Sequence, residues 1–128
     1  MATESQVVAA VLAAVNAALP ATVRAYEPSK VPGSRPAEFV QVTVVRRSGG
    51  TARAGRRSTR GWAVYFMAAS RTSEANARNS LRLAGDALEN RALIVGDESS
   101  TPVEFNTARP VSPDDGWFSG SSVYHFAI

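Results

Sequence analysis

The chain has 128 residues, of which 45% are hydrophobic and 20% charged, a composition that fits one globular domain with a single core. It contains no cysteine and one histidine, His125. Disulfides, thiolate chemistry and a multi-histidine metal site within one chain are therefore excluded. The formal net charge is +3 and is unevenly placed: residues 46–60 carry six arginines and no acid, whereas the rest carries 8 basic and 11 acidic side chains, a balance of −3.

From the N-terminus, Thr3 followed by Gln6 matches a capping box, and Val8, Val11, Leu12, Val15 and Leu19 recur at helical spacing until Pro20. This apolar stretch follows Glu4 rather than a basic segment, is interrupted by Asn16 and is too short to span a bilayer. It predicts no membrane partner and synthesis in the cytosol. Thr22–Tyr26 fits a short strand, and "EPSKVPGSRPAE" fits a proline-ordered connector that has the alternative of being a contact surface. Glu38–Arg47 and Gly61–Ser70 are strands with apolar residues on both faces, so helices or neighbouring subunits must cover at least one face of the sheet. The arginine segment between them is predicted to tip a long β-hairpin.

Ser70, Thr72 and Ser73 offer caps for a second helix, in which Ala77, Leu81, Ala84 and Leu88 form one face and which ends near Asn90. "ALIV" begins a strand broken by "GDESS". Thr101–Val111 is a strand in which Pro110 marks an edge or an end, Ser112–Gly120 a turn cluster, and "SSVYHFAI" a closing strand. The expected fold is α+β, in the order α-β-β-β-α-β-β-β, with two helices flanking a mixed, mostly antiparallel sheet and a basic hairpin at 46–60.

The sequence carries no phosphate-cradling glycine loop and no nucleophile elbow. His125, set among strand aromatics, reads as a packed or surface histidine rather than a catalytic one. Asp114 and Asp115, with Asp97 and Glu98, are acidic enough for calcium or magnesium but lack the spacing of a calcium loop, and aspartates in turns more often bond backbone amides. No catalytic residue, metal or cofactor is expected, and no enzyme activity. Trp117 and Phe118 in "GWFSG" either cap one end of the core or anchor a subunit interface, where tryptophan is enriched.

"MATESQVVAAVLAAV", "VTVVRRSGG…TRGWAVYFMAASRTSEANAR" and "STPVEFNTARPVSPDDGWFSGSSVYHFAI" together resemble tail terminator proteins of long-tailed bacteriophages, in the versions found in phages of actinobacteria. The resemblance spans nearly the whole chain. It implies a hexameric ring at the head-proximal end of the tail tube, in the virion after assembly and in the host cytoplasm before it. Such a ring stops tube elongation and joins the head–neck connector, while genomic DNA passes through its lumen without specific binding. No cofactor or reaction is implied.

In that setting Arg46, Arg47, Arg53, Arg56, Arg57 and Arg60 read first as an arm docking on an acidic protein surface, since arginine pairs carboxylates through a two-pronged contact. A solvated loop ranks second and DNA contact third, because no aromatics interleave the arginines. The rival functions are a neck or head–tail connector ring and, less favoured, a nucleic-acid-binding protein using the basic hairpin.

Overall fold

The computed structural model describes residues 2–47 and 61–128. Helix α1 covers Glu4–Ala18 and begins as expected: the Gln6 amide donates to Thr3 Oγ1 at 3.2 Å, and the Thr3 amide donates to Gln6 Oε1 at 2.9 Å. Val7, Val11 and Val15, four residues apart, form its fully buried stripe. Val8 and Leu12 lie on the flank. Alanines surround this helix on several sides, so periodicity alone leaves its rotation about its own axis ambiguous.

Strand β1 is Arg24–Tyr26, and a single 3-10 turn, Pro28–Lys30, starts the connector to β2, Glu38–Arg46. The two strands pair in parallel. A parallel neighbour requires the chain to travel back along the sheet, and the proline-rich segment makes that return. Strand β3 is Gly61–Ser70 and pairs with β2 in unbroken antiparallel register from Glu38–Ser70 to Arg46–Trp62. Arg47 extends the ladder, its amide donating to the Gly61 carbonyl at 2.8 Å. The hairpin's stem is therefore as predicted, while its tip, with Arg53, Arg56, Arg57 and Arg60, lies outside the described residues.

Helix α2 covers Glu74–Leu88, with Ser73 as its cap through a 3.0 Å bond from the Asn76 amide. Ser70 prepares this turn by accepting from the amides of Thr72 and Ser73. Ala77, Ser80, Ala84, Gly85 and Leu88 are buried. Small residues bring α2 close to the sheet, and Gly85 lies directly against the Tyr124 hydroxyl, where a side chain would collide with the ring end.

Two readings need correction beyond α2. "ALIV" is a strand as expected, β4, Ala92–Val95, but "GDESS" does not break it off: it turns the chain into β5, Glu98–Pro102, which pairs with β4 as a hairpin. Gly96 takes φ +64° at the first turn position, which a two-residue turn of the II′ kind requires of a glycine. "SPDDGWFSG" is not a turn cluster either. Strand β6 runs Glu104–Asp114 and β7 runs Trp117–Ala127, so only Asp115 and Gly116 remain between them. Both have positive φ, 51° and 83°, the type I′ pattern for which Asp-Gly is a preferred pair. The α+β class and the two-helix, mixed-sheet architecture hold, with one strand more than expected.

The main sheet has the order β1-β2-β3-β7-β6, antiparallel except at β1. One face carries Val40, Val42, Val44, Trp62, Val64, Phe66, Tyr124 and Phe126 and is packed under α1 and α2 to form the core. The other face carries no helix; on it Tyr65 is 45% and Val45 44% exposed.

Both edges of this sheet are guarded. At β1, Asn16 of α1 clamps the Ala25 backbone: the Ala25 amide donates to Asn16 Oδ1 at 2.8 Å, and Asn16 Nδ2 donates to the Ala25 carbonyl at 3.3 Å. The residue that interrupts the apolar helix thus substitutes for a missing strand. At β6, Pro110, Pro113 and two register shifts spoil the edge as a pairing template.

Candidate assembly surfaces

The basic stem lies at one pole of the sheet. Arg46 ends β2 with its guanidinium 5.2 Å from the centre of the buried Trp62 ring, a cation–π contact that holds charge at the stem. Trp62 Nε1 is buried without a hydrogen-bond partner among the described residues. His125 is at the same pole on the uncovered face, paired in register with Ala63 and Glu104. Burial lowers its pKa below the usual 6.5, the positive charge of Arg47 adds to the effect, and Glu104 opposes it. Its Nε2 lies 3.4 Å from Asn106 Nδ2. Among the described residues no nucleophile or carboxylate hydrogen-bonds to His125.

The β6–β7 turn lies at the other pole. Trp117 packs edge-on against Phe39 at 5.6 Å, and the Arg71 guanidinium stands 4.5 Å from its ring centre. Both Trp117 and Phe118 are half-buried, and as consecutive strand residues they point to opposite faces of β7. Asp114, Asp115 and Arg35 meet Trp117 around a depression of about 240 Å3. The acidic pairs are thus split between two hairpin tips, Asp97 with Glu98 and Asp114 with Asp115. Among the described residues no three histidine or acidic side chains converge to hold a metal.

Sequence reasoning did not anticipate a larger groove on the helix side of the sheet. The helices pack over the sheet, with α2 reaching β3, β7 and β6, and a groove of about 700 Å3 opens between α2 and β6. Leu81, Phe105, Val111 and Tyr124 form its apolar floor, with Arg78 and Arg82 on its rim. Phe105 is 50% exposed and packs edge-on against Tyr124 at 5.6 Å. Burial, reinforced by the negative charge of Glu89, raises the Tyr124 pKa above 10.0, so the phenol stays neutral at physiological pH. The β4–β5 hairpin projects elsewhere: Leu93 and Val95 point inward, and Ile94 points out with 73% of its surface exposed. The signal for this hairpin was Gly96-Asp97 between two strand-like runs.

No helix among the described residues is long and apolar enough to cross a membrane. No protein-family model matches the chain, and no curated protein matches it. Among solved structures, the chain is similar in fold to a chain of the virion of a native gene transfer agent particle, with a TM-score of 0.64 and 15% sequence identity over 93% of this chain and 91% of that one.

Proposed function

We propose that this chain is a structural protein of a phage-like virion, forming a ring, as a hexamer, on the head-proximal end of a tail tube. The ring stops tube elongation and presents the docking surface for the head–neck connector. The observation that carries this reading is the fold shared with a gene transfer agent virion chain along nearly the whole length of both proteins, at a TM-score of 0.64. The sequence resemblance to tail terminators supplies the finer role.

The physical logic is that of closed assembly. A ring of identical subunits needs two different, complementary patches on each subunit, so that every contact is repeated by rotation. Guarded edges at β1 and β6 favour contacts through faces and projecting elements over edge-to-edge strand pairing. Arg46 and Arg47, with Arg53, Arg56, Arg57 and Arg60, form the arm that docks on an acidic surface of the tube or the connector. At the opposite pole the remaining exposed surface of Trp117 and Phe118 joins a neighbouring subunit. DNA passes through the lumen without a specific site.

Electron microscopy of the purified protein mixed with tail tubes tests this reading. Six-fold rings at one end of the tube are expected. Monomers that ignore tubes would overturn it, and rings that bind isolated heads but not tubes would replace the terminator role with that of a neck connector.

A further inference from the structure

We infer that the β4–β5 hairpin of one copy is the knob that fills the α2–β6 groove of the next. This inference rests on the ring reading above and names the contact that would close it.

The two surfaces complement each other in shape and charge. The hairpin offers the most exposed large hydrophobic side chain among the described residues, Ile94, beside the exposed carboxylate of Asp97 at the turn. The groove offers an apolar floor and arginines at its mouth. Its cations outnumber its anions: Arg78, Arg82 and Arg109 line it against Glu74 alone. Arg78 pairs with Glu74 at 3.1 Å and Arg82 with Asp86 at 3.3 Å, both across one exposed helix turn, while Arg109 makes no ion pair among the described residues. Exposed pairs of this kind are weak and give way to a better-placed carboxylate. The other acidic tip, at Asp114 and Asp115, is less suited, because Arg35 lies beside those carboxylates and Arg71 covers the Trp117 ring.

The knob is held in place before it binds. The Leu93 amide donates to Ser100 Oγ at 2.8 Å, the Ala127 amide donates to Thr101 Oγ1 at 2.9 Å, and Val103 bonds both Asn90 and Arg91 through the backbone. Little conformational freedom remains to be lost on docking.

Within one copy no residue of the hairpin lines the groove. On α2 the groove is lined from Glu74 to Arg82, whereas the hairpin follows the helix's end and its turn at Gly96 stands near Gln6 of α1. From Arg82, the last groove residue on α2, to Leu88 at the helix's end the backbone rises roughly 9 Å at 1.5 Å per residue, and the hairpin follows that end. The contact is therefore between copies and joins unlike patches, the type that closes into rings.

The natural absence of cysteine allows a direct test. Ile94→Cys and Ala108→Cys proteins, mixed and treated with a short bis-maleimide, should give a covalent dimer well above that of either variant alone. The double variant should give a ladder ending at the ring's subunit number. If the wild type sediments as an oligomer but the mixture yields no excess dimer, this contact is wrong and the ring reading survives. If the wild type remains a monomer at all concentrations and with tail tubes, the ring reading fails and this contact with it. Charge exchange gives a second arm that needs no cysteine. Asp97→Arg and Arg82→Glu should each weaken self-association roughly tenfold, and the two together should recover to within about threefold of wild type. Simple additivity of the two losses would overturn the pairing.

Discussion

Replacing Asn16 with alanine separates the clamp on the sheet edge from ordinary helix propensity. The side chain makes two part-buried bonds to the Ala25 backbone, at 2.8 and 3.3 Å, and loses both in Asn16→Ala. Each contributes about 1 kcal/mol net, so the loss is about 2 kcal/mol. Alanine is the better helix former by about 0.5 kcal/mol, which leaves a net destabilisation of about 1.5 kcal/mol. For a domain of this size that corresponds to a fall in melting temperature of roughly 6 °C. Urea unfolding monitored by circular dichroism gives the free energy, and hydrogen exchange at the Ala25 amide reports the local opening. A neighbouring exposed position such as Ala13→Asn measures the propensity term alone. If Asn16→Ala is as stable as wild type, or more stable, the clamp does not hold β1 and the edge must be guarded by something else.

Gly85→Ala should destabilise by roughly 1–3 kcal/mol despite its gain in helix propensity, because the new methyl meets the Tyr124 hydroxyl and ring end; Tyr124→Phe should recover part of that loss in a double-variant thermal unfolding cycle. The raised pKa of Tyr124 means that its stabilising contribution is complete below the unfolded value of 10.0 and is lost as pH rises through the folded value, so stability should fall above about pH 10 and fall less in Tyr124→Phe. His125 behaves in the opposite sense: its folded pKa is lowered, so its contribution is complete above 6.5 and is lost as pH falls through the folded value. Its NMR titration midpoint should lie below 6.5, and His125→Gln should flatten the stability profile on the acid side of that point. Deleting residues 49–58 should leave the fold intact but abolish salt-sensitive docking to tubes or connectors; tails of normal length that still join heads would show that the arm is dispensable.

Local rules made much of this fold readable. Thr3 with Gln6, Ser73 before Glu74, and the alternating residues of 38–46 and 61–70 each act within a few positions of the chain, through caps and the two-residue repeat of a strand. Asp115-Gly116 belongs to the same class and was legible in principle, since both residues must take positive φ. It was obscured by neighbouring prolines and serines, which suggest a loop wherever they cluster but here lie within an edge strand that needs fewer backbone donors.

The sequence by itself thus determined both helices, most of the strands, the uneven charge and the absence of thiol chemistry, because each depends on composition or on neighbours along the chain. The tertiary structure decided everything that depends on which elements meet. It alone turned Asn16 from an interruption into a clamp, selected Val7 over Val8 for the core, bared one face of the sheet, and opened a groove between α2 and β6. Those outcomes follow from the packing of segments far apart in sequence, whose relative placement no local periodicity encodes.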